Sequence, residues 1–136
     1  MDEITLRPRF SETDALGHIS NTTLPVWFEA GREELFRRIH PAMTLEEWPL
    51  ILARYEVDLK SQMFLGHDVT IKTAVEKLGT SSLGVYQEAW QQDRLAATGR
   101  TVLVNFDYSS QRSRPFIDSI RARLTDMLMS SSDDKA

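Results

Sequence analysis

Asp14 lies in the stretch FSETDALGHISN, seven residues ahead of Asn21 and just before a run with the 3.6-residue period of an amphipathic helix. A carboxylate in that place can serve as a turn residue, a helix cap or an acid–base group. The first backbone N–H groups of a helix lack intrahelical partners and carry a positive partial charge. They form a ready donor set for a developing oxyanion, and a carboxylate beside them can attack or deprotonate a nucleophile. Seven residues leave enough chain for a turn to return Asp14 to the helix start. By spacing alone, an aspartate ahead of a helix is most often a turn or capping residue. His18 follows four residues later, where its simplest role is to hold the turn by hydrogen bonds. Asn21 suits an N-cap, so its side chain has a purely structural role open to it. Glu29 lies two turns into the helix and off its apolar stripe, placed to orient water or, more simply, to pair with Arg32. Arg32 sits close to the stripe, its stem expected to pack and its head to pair.

The elements that must position these residues follow from periodicity. Ile4, Leu6, Pro8 and Phe10 alternate with polar residues, predicting a strand that Pro8 restricts to an edge or a bulge. Leu24, Phe28, Gly31, Leu35 and Ile39 form one stripe, predicting a single helix that starts between Asn21 and Leu24 and stops near Pro41. Glu33 with Arg37 and Glu34 with Arg38 support it as i,i+4 pairs. Period two then takes over: Ile51, Ala53, Tyr55, Val57 and Leu59 alternate, as do Val69, Ile71, Thr73 and Val75. Runs from Leu83 to Gln91 and from Leu95 to Tyr108 follow, joined by short turns, which predicts an antiparallel meander. Phe116, Ile120, Leu124 and Leu128 predict a closing helix, and SSSDDKA has nothing to bury. The result is one α+β domain over residues 1–129 and a disordered tail over 130–136. One helix cannot cover every apolar position of a five-stranded sheet, so two subunits are expected to pair.

Composition narrows the function classes. At 136 residues and a net charge of -4 with scattered basic residues, the chain has no electrostatic footprint for nucleic acid. With no cysteine there is no disulfide framework, thiolate nucleophile or Cys-ligated zinc. His18, His40 and His67 show no metal-ligand spacing. No apolar run has the length of a membrane span, and MDEITLRPRF has no signal-peptide character, so a cytoplasmic protein is expected.

The opening RFSETDALGHISNTTLPVWFEAGREELF resembles that of hotdog-fold acyl-CoA thioesterases of the 4-hydroxybenzoyl-CoA thioesterase type. That family has R-F or R-Y, then x-x-x-D-x-x-G-H-x-x-N, then a helix with F-E-x-A-R. The matching residues are Arg9, Phe10, Asp14, Gly17, His18, Asn21, Phe28, Glu29 and Arg32, with Gly31 where the family usually has Ala. Thr22, Thr23, Leu24 and Pro25 depart from the aromatic and small residues common after the Asn. The resemblance implies a hotdog fold, a five-stranded antiparallel sheet wrapped around a central helix with a C-terminal helix. It also implies a homodimer or homotetramer that hydrolyses an acyl-CoA thioester to free acid and CoA, without a metal or cofactor.

In that reading Asp14 is nucleophile or general base, the backbone near Asn21 is the oxyanion site, and His18 and Glu29 stand nearby. Lys77, Ser82 and Arg114 are candidates for the CoA phosphates, with solvated surface charge as the plainer role of each. The acyl group, the choice between CoA and an acyl carrier protein, and the route taken by Asp14 are open. Two rivals are a non-catalytic acyl-CoA-binding module and a hotdog dehydratase acting on 3-hydroxyacyl thioesters. The first has no use for a carboxylate beside a thioester. The second needs a histidine base, and His18 sits instead between the turn and the helix start.

Overall fold

The computed structural model describes residues 1–129; the expected tail over 130–136 lies outside them. In chain order the elements are β1 (Asp2–Leu6), a 3-10 turn (Phe10–Glu12), α1 (Thr23–Gly31), α2 (Glu33–Ile39), β2 (Leu50–Leu59), β3 (Val69–Leu78), β4 (Ser82–Gln91), β5 (Arg94–Asp107), β6 (Arg112–Ser113) and α3 (Asp118–Thr125). The strands form one antiparallel sheet in the order β1-β3-β4-β5-β2, curled around α1 and α2. This is the expected hotdog arrangement, with one addition. The segment between the fourth long strand and the closing helix forms the two-residue β6 (Arg112–Ser113), paired with the end of β5.

The helical stripe is buried as its spacing requires: Leu24, Phe28, Leu35 and Ile39 are all at most 5% exposed. The single predicted helix is instead two, broken at Arg32 (φ -86, ψ -1). Two sheet side chains explain the break. The Gln87 amide donates to the Phe28 carbonyl at 2.7 Å, and the Thr73 hydroxyl donates to the Gly31 carbonyl at 3.1 Å. Carbonyls drawn toward the sheet weaken the helical ladder, and the axis kinks. The kink also divides the core. One apolar cluster gathers Trp27, Phe28, Ile71 and Ala97 beside α1, and the other gathers Leu35, Val85, Leu103 and Leu124 beside α2 and α3. Buried Arg32, Thr73, Gln87 and Thr101 form a polar belt at the kink.

Three strand and helix limits differ from the periodic reading. β1 ends at Leu6; Pro8 has no N–H for a ladder, and Phe10 begins the 3-10 turn, 81% exposed. Within β2 the register shifts between Leu52 and Arg54, so Ala53 is bulged. The helix-facing side of β2 therefore reads Leu52, Tyr55, Val57, Leu59 and not one unbroken alternation. At the C-terminus α3 stops at Thr125. Met127 takes the buried place while Leu128 is 41% exposed. There the chain lies along β3 beyond the end of β1, with Val75 N–H donating to the Met127 carbonyl and Met129 N–H to the Val75 carbonyl.

Candidate active site

The turn that presents Asp14 is built on Glu12. Its carboxylate accepts the Arg9 N–H at 2.7 Å and the Trp27 indole N–H at 2.8 Å, with the Arg9 guanidinium at 3.6 Å. Burial alone would raise the Glu12 pKa, but these donors outweigh it and hold the carboxyl below its ordinary value. The Glu12 carbonyl accepts the Ser20 N–H at 2.8 Å, which ties the start of the turn to its end. Since Trp27 is buried in α1, the turn is fastened to the helix core.

Asp14 sits inside that frame. Its N–H donates to the His18 carbonyl at 2.8 Å. Its Oδ1 accepts the N–H groups of Leu16 at 2.8 Å and His18 at 3.1 Å. Gly17, at φ +80, makes the left-handed step that lets the chain close around the carboxylate. One carboxylate oxygen is thus committed to the turn. The other, Oδ2, has only the His18 Nδ1 nearby at 3.7 Å, and the side chain is 44% exposed. His18 stands half-buried, edge-on to the Phe64 ring at 5.1 Å between centroids. Its backbone N–H and carbonyl both serve the turn, as its simplest role required.

Helix α1 begins one residue after its N-cap Thr22, whose side chain caps nothing. The expected N-cap side chain of Asn21 makes no capping bond either; it is exposed. The Ser20 hydroxyl takes up the Thr22 N–H at 3.4 Å, and the backbone is already helical at Thr22 (φ -70, ψ -14). The Thr23 and Leu24 N–H groups are held by the Ser20 and Asn21 carbonyls, and Pro25 has none. The Asn21 N–H makes no hydrogen bond to another described residue. Asp14, His18, Asn21, Leu24, Leu59 and Met63 line a cleft of about 630 Å³. Asp14, with one carboxylate oxygen uncommitted to the turn, and Asn21, with its N–H unpartnered among the described residues, therefore border one hollow together with apolar Leu24, Leu59 and Met63.

The remaining candidates lie elsewhere. Glu29 and Arg32 do not pair, because Arg32 turns inward to Gln87 at 3.1 Å and Thr101 at 3.4 Å while Glu29 stays in solvent. Lys77, Ser82 and Arg114 gather at the opposite end of the sheet. Ser82 begins β4 and Gln91 ends it, and the Gln91 side chain clamps Phe64 beside His18. Nine residue steps along β4, roughly 30 Å, separate its two ends. Arg114 borders a hollow larger than the Asp14 cleft, about 930 Å³, with His40, Trp48 and Tyr108. That hollow also holds acidic residues, Glu47 and Asp107, but Asp107 is engaged by Ser109 and Ser110, and neither residue lies in the turn ahead of α1. Among the described residues, no group of three or more His, Asp or Glu side chains gathers as metal ligands, and no helix is long and apolar enough to cross a membrane.

With this geometry in place, similarity supplies the family. Residues 8–124 match the thioesterase-like superfamily, and the chain belongs to it. A solved structure described as a predicted thioesterase from Bacillus stearothermophilus is 43% identical, covering 94% of this chain and 96% of that one at a TM-score of 0.92. A thioesterase from Thermus thermophilus, complexed with coenzyme A and Zn, is 33% identical over 90% of this chain and 95% of that one, at a TM-score of 0.81. The uncharacterized protein YsmA of Bacillus subtilis (strain 168) is 26% identical over 117 residues, 85% of this chain and 80% of its own length. Family and neighbours together support a thioester hydrolase on a hotdog fold.

Two features of the site escaped the sequence reading. The Glu12 brace was signalled by R-x-x-E spacing, which places Glu12 three residues after Arg9 and two before Asp14. Gln87 interrupts the apolar face of β4 between Val85 and Ala89, a polar residue where alternation calls for burial.

Proposed function

We propose that this protein hydrolyses acyl-CoA thioesters to a carboxylic acid and CoA at the cleft between the Asp14 turn and the start of α1. One observation carries the reading. Asp14 is fixed through Oδ1 by two backbone N–H groups, which leaves Oδ2 free of the turn, and the cleft it borders is also bordered by Asn21, whose N–H has no partner among the described residues. The thioester carbonyl accepts that N–H, aided by the positive end of α1. Oδ2 either attacks the carbonyl carbon, expelling the CoA thiolate and leaving an anhydride that water opens, or takes a proton from the attacking water.

Geometry also supports a two-subunit site. Among the described residues β2 pairs only with β5, and Ile51, Leu52, Tyr55 and Leu59 along it are 39–57% exposed. Long apolar edge strands are covered in stable proteins, and a second copy in antiparallel pairing covers this one. It also sets the Leu50 end of one β2 against the Leu59 end of the other. The Lys77, Ser82 and Arg114 end of one subunit then approaches the Asp14 cleft of its mate, where the CoA phosphates need cations. Dimers of this kind can pair again into tetramers.

The test is thiol release from a panel of acyl-CoA esters by wild type and by Asp14→Asn. Asn keeps the Oδ1 acceptor of the turn and removes only the charge. Turnover lost by about 10³-fold with an unchanged circular dichroism spectrum supports the reading. Equal turnover in the two proteins removes Asp14 from the mechanism. Single turnover in ¹⁸O-water separates the routes, since label enters Asp14 only after an anhydride.

A further inference from the structure

Arg32 is 6% exposed, yet no carboxylate of the described residues pairs with it. Its Nη1 donates to two neutral oxygens, those of Gln87 and Thr101, while Nε has no hydrogen-bond partner. Nη2 likewise bonds to no described residue, and the side chain lines a hollow of about 180 Å³ with Phe28, Leu52, Tyr55 and Val57. The free edge of the guanidinium is therefore the Nε–Nη2 fork, whose two parallel N–H groups match the two oxygens of a carboxylate. Burial pushes the Arg32 pKa down, with Glu29 opposing in part. Arginine nonetheless stays protonated in proteins, so this hollow holds an uncompensated cation that favours an anion.

The hollow and the Asp14 cleft share no lining residue but follow one another along the same seam. Both lie between α1 and β2, the first against Leu24 and Leu59 and the second one turn further along, against Phe28 and Val57. Its other acids, Glu29 and Glu56, stand exposed at the rim, and Glu56 already pairs with Arg54. A carboxylate gains there only by reaching the buried fork. From Thr23 to Arg32 the helix rises about 13 Å. The arginine side chain leans back toward the helix start, which shortens the gap. Resting on the hydrolase reading above, we infer that Arg32 anchors a second, terminal carboxylate on the acyl chain. The preferred substrates are then ω-carboxyacyl thioesters of medium length.

The first arm needs no turnover. Calorimetry measures hexanedioate and octanedioate against hexanoate and octanoate on wild type, Arg32→Met and Arg32→Lys. The expected result is a diacid preference of about tenfold or more in wild type. It is abolished in Arg32→Met and partly kept in Arg32→Lys. Should Arg32→Met not fold, the wild-type ratio decides. Equal affinity for diacid and monoacid in wild type overturns the inference. So does a diacid preference that survives in folded Arg32→Met. A third overturning result is a loss of subunit pairing in Arg32→Met by sedimentation with no diacid preference in wild type, which would assign the guanidinium to a carboxylate of a second copy. The second arm compares kcat/KM on the matching CoA monoesters. Diacid binding without hydrolysis of any ester would overturn the hydrolase and leave the anchor standing. Hydrolysis without diacid preference would do the reverse.

Discussion

Gly31 is where the fold is least tolerant of a side chain, and Gly31→Ala tests the account of the helix kink. A Cβ at this position would lie 2.6 Å from Ile71 Cγ2, 2.8 Å from Gln87 Nε2 and 3.1 Å from Thr73 Oγ1. Two of these atoms belong to the polar belt, and Ile71 is fully buried in β3. To admit the methyl, α1 must lift off the sheet. Overpacking of this kind costs about 1–3 kcal/mol. Lifting the helix also stretches the bonds from Gln87 to the Phe28 carbonyl and from Thr73 to the Gly31 carbonyl, about 1 kcal/mol each. Against this, alanine gains about 1 kcal/mol in helix propensity. The net loss is about 2–4 kcal/mol, which lowers Tm by about 10 °C in a domain of this size. Urea denaturation and calorimetry on the purified variant measure both numbers. A Tm equal to or above that of wild type would refute the reasoning, because it would mean that propensity outweighs the close approach. A relative with alanine here must then have a smaller residue facing it on β3 or a helix set further from the sheet.

Other outcomes follow from the same contacts. Glu12→Gln should lose stability at neutral pH. The folded pKa of Glu12 is depressed, so its contribution is present above the unfolded value and disappears as pH falls through the folded one. The gap between wild-type and variant urea midpoints should therefore narrow from pH 7 toward pH 3. A constant gap would place the effect in packing. Trp27→Phe removes one donor from the same carboxylate. It should loosen the Asp14 turn, lowering kcat by about tenfold and Tm by several degrees, read by steady-state kinetics and thermal melts. Leu52→Lys with Leu59→Lys should give a monomer in sedimentation velocity with an unchanged circular dichroism spectrum, because both positions lie exposed on the β2 edge. Leu124→Ala, at a fully buried site of α3, should cost about 3–4 kcal/mol in denaturant melts.

Much was legible in one dimension because it depends on local periodicity and short-range hydrogen bonding. The stripe from Leu24 to Ile39, the four long strands and the surface pairs Glu33–Arg37 and Glu34–Arg38 all stand where their spacing put them. The Asp14 turn was legible too, since D-x-x-G-H closes on itself within five residues. Three things depended on partners distant in sequence. The break at Arg32 needs Thr73 and Gln87, 42 and 59 residues from the carbonyls they draw out. The phase change in β2 arises from its register against β5, which no window on β2 alone contains. The placement of Lys77, Ser82 and Arg114 at the end of the sheet away from Asp14 follows from strand direction, because hairpins send alternate turns to opposite ends of a sheet. Arg32 shows the same limit. Its sequence neighbours offered Glu29 as an ionic partner, but the side chain lies on the sheet-facing side of the kink. Burial there joined it to Gln87 and Thr101, and only tertiary packing could decide that.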